Sequence, residues 1–313
     1  MCKKVLFVDT AHPSLQDKLE AMGFQCDYFP DYQYADYLRI IADYAGIIIR
    51  SKIPVDSVLL DAASQLRFVG RVGAGMENID YEYAHKKGIV CLNAPEGNRD
   101  AVAEQAIGML LMLFNNLLKA DAEVRKGIWL REENRGVELM GKTVAIIGYG
   151  NTGSAFAGKL SGFEAKVIAY DKYKSNFGSS MVEEVSMQKV FEMADIVSLH
   201  VPLTKETTYL VNSGFLESFQ KPVYIINTSR GKVLNTADLL KAMDQRRVLG
   251  ACLDVLEFEK TSFEALSENK LPAALENLIQ RKNLVLSPHI AGWTHESNLK
   301  MAKVLAAKIG NIM

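Results

Sequence analysis

Along the first third of the chain, short apolar runs alternate with polar stretches of helical length. The runs Lys4–Asp9, Phe24–Phe29, Gly46–Arg50, Leu66–Val72 and Ile89–Asn93 are each too short for a core helix, and several are rich in β-branched residues. They read as buried parallel strands. Ser14–Met22 and Val55–Ala63 are long enough for crossover helices, which gives a first βαβ-type domain ending near Pro95. From Arg99 to Lys126 there is no proline, and the apolar positions Val102, Ala106, Met109, Leu113 and Leu117 are widened almost all round by Ile107, Leu110, Leu111 and Phe114. A helix that apolar must be buried on several sides, as a linker packed between domains or subunits would be.

A second series of runs follows: Thr143–Ile147, Val167–Tyr170, Ile196–His200, Val223–Asn227, Gly250–Asp254 and Asn283–Ser287. With helical segments between them, these strands predict a doubly wound parallel sheet. The tail Glu296–Ile312 is helix-compatible and too small to be a domain, so it is expected to pack back on the first one. The expected organisation is residues 1–98 with 294–313 as one α/β domain. Residues 99–293, including the linker helix 99–126, form the other.

Composition narrows the function classes. The chain has 313 residues, 49% of them hydrophobic and 23% charged, which suits packed cores and excludes disorder as the main state. A net charge of -1 argues against a dedicated nucleic-acid surface. Cys2, Cys26, Cys91 and Cys252 are scattered without CxxC or metal-ligand spacing, and there is no HExxH, so no metal site is expected. Met1-Cys2-Lys3-Lys4 runs straight into Val5–Val8 without a secretory pattern, and the uncharged stretch Gln105–Leu118 is too short to span a bilayer. The expectation is a cytoplasmic protein with no membrane partner.

Chemistry enters at Gly148-Tyr149-Gly150-Asn151-Thr152-Gly153, directly after the strand Val144–Ile147 and opening a helix-compatible stretch. In that context Gly148 allows the tight turn, Gly150 lets backbone approach a pyrophosphate, and Gly153 permits close helix–strand packing. Asp171 ends the next strand, where it can accept from ribose hydroxyls and repel a 2′-phosphate, so NAD is favoured over NADP. A flavin on the same turn is the alternative cofactor.

Polar residues stand at the ends of the later strands: His200-Val201-Pro202, Asn227-Thr228-Ser229-Arg230-Gly231, Asp254 with Glu257 and Glu259 beyond it, and Ser287-Pro288-His289. Reduction of a 2-keto acid needs a held carboxylate, a polarised carbonyl and a proton for the forming alkoxide. Arginine suits the first through two charged hydrogen bonds, and histidine suits the others. Arg230, His289 and Glu259, the last as the histidine's partner, meet this specification if their strand ends are neighbours. His12, His85 and His295 read as surface or structural residues.

These motifs together resemble the D-isomer-specific 2-hydroxyacid dehydrogenase family over essentially the whole chain. They include Gly148–Gly153 with Asp171, His200–Thr204 followed by Glu206-Thr207, Asn227–Gly231, Asp254-Val255 with Glu259, and Pro288–Gly292. Asn93–Pro95, Ala101–Glu104 and Trp129 followed by Gly141–Thr143 add to the likeness. The resemblance implies two Rossmann-like parallel-sheet domains, with the nucleotide-binding one inserted into a flavodoxin-like catalytic domain. It implies that Arg230 binds the substrate carboxylate, His289 is the acid/base and Glu259 its partner. The remaining cofactor contacts it implies are Asn151, Thr152, His200, Val201, Pro202, Thr207, Thr228, Ser229, Asp254 (toward the carboxamide) and Gly292.

Within the family the likeness is nearest to the phosphoglycerate dehydrogenases, through Ile49-Arg50-Ser51 and Gly70–Gly75 continuing to Asn78-Ile79-Asp80. That implies substrate contacts from Arg50, Ser51, Arg71, Val72, Gly73 and Ala74, from Arg131 across a homodimer interface, and 3-phosphoglycerate/3-phosphohydroxypyruvate as the substrate pair. Reduction of hydroxypyruvate, glyoxylate or another small keto acid is the alternative, and a non-catalytic dinucleotide-binding sensor the third. Departures from the pattern are Lys260 in place of a proline, the long stretch between Glu259 and His289, and Trp293 where a small residue is usual.

Overall fold

The computed structural model describes residues 3–259 and 271–312; Cys2 and Lys260 lie outside them. The chain forms two compact units, the first from residues 3–99 and 293–312, the second from residues 100–259 and 271–292.

In the first unit, β1 (Lys4–Phe7), α1 (Pro13–Ala21), β2 (Gln25–Tyr28), α2 (Tyr34–Ile40), β3 (Gly46–Ile49), α3 (Ser57–Ala62), β4 (Phe68–Arg71), α4 (Tyr81–Lys86) and β5 (Val90–Asn93) alternate regularly. The five strands form a parallel sheet in the order β2-β1-β3-β4-β5, the flavodoxin-like arrangement. Because successive side chains point to opposite faces, Leu6, Ile47 and Val69 pack against Tyr37, Leu59 and Leu60 on one side. Val5, Phe7 and Phe68 pack on the other against Leu15, Leu19 and the C-terminal residues Met301, Leu305 and Ile309. Two-sided burial explains why the central strands are uninterrupted apolar runs.

The chain enters the second unit along α5 (Pro95–Phe114), followed by α6 (Leu117–Val124). The sequence predicts one helix here; instead the two meet at a bend of 61°. Asn116 adopts a left-handed φ of 51°, a conformation that ends a helix and that asparagine tolerates. No single described helix is long and apolar enough to cross a membrane.

The second sheet comprises β6 (Thr143–Ile147), β7 (Lys166–Tyr170), β8 (Glu183–Glu184), β9 (Ile196–Leu199), β10 (Val223–Asn227), β11 (Val248–Leu253) and β12 (Leu284–Leu286). Its helices are α7 (Asn151–Leu160), α8 (Met187–Met193), α9 (Ser213–Glu217), α10 (Thr236–Asp244) and α11 (Ala273–Ile279); α12 (His295–Gly310) belongs to the first unit. All seven strands are parallel, in the order β12-β11-β10-β9-β6-β7-β8. The order reverses at β6, which has β7 on one side and β9 on the other, and ligands of such sheets bind beyond the strand ends at that reversal. The doubly wound sheet matches the sequence expectation, with β8 added at the edge.

Candidate active site

The glycine turn sits at the reversal point. Gly148 has a φ of 94°, and a Cβ on it would come within 2.5 Å of the His200 carbonyl oxygen. A Cβ on Gly153 would come within 2.1 Å of the Gly148 carbonyl, so the start of α7 can lie against the strand only as glycine. At Gly150, the N-cap of α7, a Cβ would meet nothing within 4 Å. That open space, at a helix start with unsatisfied N–H groups, is what a diphosphate needs.

Asp171 accepts from the N–H groups of Tyr149 (2.8 Å), Tyr173 (2.9 Å) and Lys174 (3.0 Å). Burial opposes its ionisation, but these N–H groups outweigh that and hold its carboxyl below the usual range. It is therefore a fixed anion at the tip of β7, one strand from the glycine turn. His200 is only 8% exposed. Its Nε2 lies 2.8 Å from Ser198 Oγ, its Nδ1 3.2 Å from Thr152 Oγ1, and its ring 5.2 Å from that of Phe156. Burial pushes its pKa from 6.5 down to about 3, so the imidazole is neutral and braces the second residue of α7. Next to Val201, Pro202 offers its carbonyl to Thr207 Oγ1 at 2.6 Å.

Beyond β10, Asn227 organises its own loop. Its Oδ1 accepts from Ser229 N–H (3.1 Å) and Oγ–H (2.7 Å), and its Nδ2 donates to the Arg230 carbonyl (3.0 Å). Thr228 Oγ1 is buried without a hydrogen-bond partner, which an added polar ligand would relieve. Together with the glycine turn, it makes the residues present fit a dinucleotide.

The polar strand ends converge. A Cβ on Gly231 would fall 1.9 Å from the Leu256 carbonyl oxygen, so the loops after β10 and β11 touch through backbone at that point. Glu257 reinforces the seam by accepting from Tyr209 Oη (2.8 Å) and the Thr236 N–H (3.0 Å). Glu259 accepts the Leu256 N–H through Oε1 and lies 2.6 Å from His289 Nδ1 through Oε2. Both side chains are largely buried. His289 itself has a left-handed φ of 57°. Arg230, at the end of the adjoining loop, donates from its guanidinium to the Ser229 carbonyl at 2.7 Å.

Asp254 is 1% exposed, and its carboxylate takes four donors from the chain. They are Gln105 Nε2 (3.0 Å), Ser287 Oγ (2.6 Å) and the N–H groups of Ile290 and Ala291 (both 2.9 Å). Gln105 was given no role from sequence, its one signal being a polar residue inside the apolar run of α5, and Ser287 stood out only as part of the polar strand end Ser287-Pro288-His289. Gly292 follows this loop directly.

Within the first unit, Asp9 receives the N–H groups of Arg50 (2.6 Å), Ser51 (3.1 Å) and Lys52 (3.2 Å) and so shapes their loop. The Arg50 guanidinium lies 3.8 Å above the centre of the Trp293 ring. Arg71 donates from Nε to the Arg50 carbonyl at 3.1 Å, and a Cβ on Gly73 would strike its guanidinium at 2.0 Å. Val72 donates its N–H to Ile49 (2.8 Å), and Ala74 offers its carbonyl to Asn93 Nδ2 (2.6 Å). Arg131 is exposed in the second unit, two residues beyond the 76%-exposed Trp129.

A doubly wound sheet with a glycine turn at its reversal point, in one unit with a largely buried histidine–glutamate pair, is a dinucleotide-binding arrangement. Residues 107–291 match the family model described as D-isomer specific 2-hydroxyacid dehydrogenase, NAD binding domain, and the chain belongs to that family. It is 32% identical over 99% of its length to D-3-phosphoglycerate dehydrogenase of Archaeoglobus fulgidus, spanning 57% of that protein. Glyoxylate reductase of Thermofilum pendens is 35% identical over 88% of this chain and 80% of its own. Among solved structures, D-lactate dehydrogenase from Aquifex aeolicus complexed with NAD and lactic acid superposes with a TM-score of 0.83 at 25% identity, covering 99% of this chain and 95% of that one.

Proposed function

We propose that the protein is an NAD-dependent D-2-hydroxyacid dehydrogenase in which His289 transfers the proton. The observation that carries this reading is the 2.6 Å contact between His289 Nδ1 and Glu259 Oε2, in the same unit as the glycine turn and Arg230. With Nδ1 committed to the carboxylate, Nε2 is the ring atom that exchanges a proton with the substrate oxygen. When bound, NADH supplies a hydride to C2. The carbonyl π pair then moves onto oxygen, which takes the proton from His289 Nε2, while Glu259 compensates the imidazolium until it is neutralised. Arg230 holds the substrate carboxylate, as a planar guanidinium does best. Gly148, Gly150, Asn151, Thr152 and Gly153 hold the diphosphate and Asp171 the ribose, with Thr228 and Ser229 on the nicotinamide side.

The proposed substrate pair is 3-phosphoglycerate and 3-phosphohydroxypyruvate. Its support is the pair of first-unit arginines, Arg50 and Arg71, which a simple keto acid would not require. Reduction of glyoxylate or hydroxypyruvate is the second reading, favoured by the Thermofilum pendens relative. kcat/KM for phosphohydroxypyruvate against hydroxypyruvate and glyoxylate decides between them. Preference for the phosphorylated acid, largely lost in Arg50→Ala and Arg71→Ala, is expected; a wild type faster on the small acids would install the second reading. We also propose a homodimer, because Leu117, Leu118, Val124, Trp129 and Leu130 form an exposed apolar stretch on and after α6. A reducing, cytoplasmic setting fits the thiols of Cys26 and Cys91, unpaired and pushed by burial up to about 12 and about 11.

A further inference from the structure

We infer that Gln105 of α5 is a positioning residue for the loop that carries His289; the inference rests on His289 being the proton-transfer group. Three successive N–H groups of that loop are fastened to one residue. His289 N–H donates to the Asp254 carbonyl at 2.7 Å, and those of Ile290 and Ala291 donate to the Asp254 carboxylate at 2.9 Å. This clamp holds His289 in its left-handed conformation, which residues with a Cβ adopt infrequently.

The clamp is only as fixed as the carboxylate, and its two remaining donors are side chains. Gln105 Nε2 lies 3.0 Å from both Asp254 Oδ1 and Ser287 Oγ, so the amide nitrogen donates toward both. Ser287 Oγ accepts from Gln105 and passes its own hydrogen to Asp254 Oδ1 at 2.6 Å. The ring of three closes on Asp254 Oδ1, which accepts from both Gln105 and Ser287. Asp254 Oδ1 accepts, which sets the Gln105 amide with its nitrogen toward it. The amide is in turn mounted on a rigid support, since Ala103, Ala106, Met109 and Leu110 of α5 are buried in the core of the same unit. Gln105 thus reaches His289 through Asp254 while contributing no group to the chemistry.

Two variants separate a donor from a spacer. Gln105→Met keeps the length and removes the N–H groups; Gln105→Glu keeps the shape and sets an acceptor against the Asp254 carboxylate. Kinetics are measured with NADH and the best 2-keto acid, and amide hydrogen exchange of residues 287–292 by mass spectrometry on the protein without ligand. The expected result for Gln105→Met is a fall in kcat of roughly 10- to 100-fold from misplaced His289, with KM for NADH within about twofold. Exchange in 287–292 should become faster, and both effects should be larger in Gln105→Glu. Wild-type kcat and exchange in Gln105→Met, or wild-type behaviour in the isosteric Gln105→Glu, would overturn the inference. Faster exchange in a protein whose wild type reduces no 2-keto acid would instead sustain the clamp and remove the enzymatic reading.

Discussion

The neutral, enclosed His200 makes the stability of this protein depend on pH in a way that one substitution should remove. In the folded chain its pKa is lowered from 6.5 to about 3 by burial, so between those values the folded state carries a neutral imidazole while the unfolded chain takes up a proton. The unfolded state therefore binds more protons, and stability rises with pH across the window. The contribution is fully present above about pH 6.5 and is lost as the solution is acidified toward pH 3. The slope approaches about 1.4 kcal/mol per pH unit below pH 6.5, so acidification from about pH 7.5 to pH 4.5 should cost about 2.7 kcal/mol through this residue. His200→Gln offers an amide to the Ser198 hydroxyl and does not titrate there. Urea unfolding followed by circular dichroism, at about pH 7.5, 6.5, 5.5 and 4.5, gives stability curves for both proteins. Groups common to the two cancel in the difference. The variant should start less stable at neutral pH, through lost packing against Phe156 and the lost bond to Thr152, and the gap should close steadily below about pH 6.5. Parallel curves would refute the reasoning, because they would mean that His200 takes up its proton in the folded state as readily as in the unfolded one.

His289→Ala should lower kcat by roughly 10²- to 10⁴-fold while leaving the Kd for NADH, read by fluorescence titration, nearly unchanged; wild-type turnover would remove it from the chemistry. The fixed anion at Asp171 should make kcat/KM larger with NADH than with NADPH. Asp171→Ser should narrow that ratio, whereas equal values in the wild type would mean that the carboxylate does not meet the ribose.

Much of this architecture was legible in the sequence because parallel strands covered on both faces are apolar at every position. The runs Gly46–Arg50 and Thr143–Ile147, for example, fall on the observed strands Gly46–Ile49 and Thr143–Ile147. The edge strand β8 was missed for the same reason, since Glu183-Glu184 are exposed and carry no apolar signal. The break in the long helix was hidden because Asn115-Asn116 interrupts hydrophobicity no more than a polar helical position does, and only the left-handed φ of Asn116 reveals it. At the site, residue types gave the candidate chemistry, and the structure brings His289 and Glu259 into contact. The Gln105–Ser287–Asp254 ring joins three distant segments, and no periodicity or local motif encodes such pairing. The stacking of Arg50 on Trp293 is likewise a product of tertiary structure. It gives a physical use to a tryptophan that the sequence marked only as a departure.

The central claim is that this chain moves a hydride from NADH to C2 of a 2-keto acid and delivers the D-hydroxy acid. The most direct measurement combines NADH oxidation by purified protein, across phosphohydroxypyruvate, hydroxypyruvate, glyoxylate and pyruvate, with chiral chromatography of every product that has a stereocentre. The account predicts stoichiometric NADH consumption with at least one of these acids, a product of the D configuration, and a rate roughly 10²- to 10⁴-fold lower with His289→Ala. Tight NADH binding with no oxidation by any of the acids, or an L product, would contradict it.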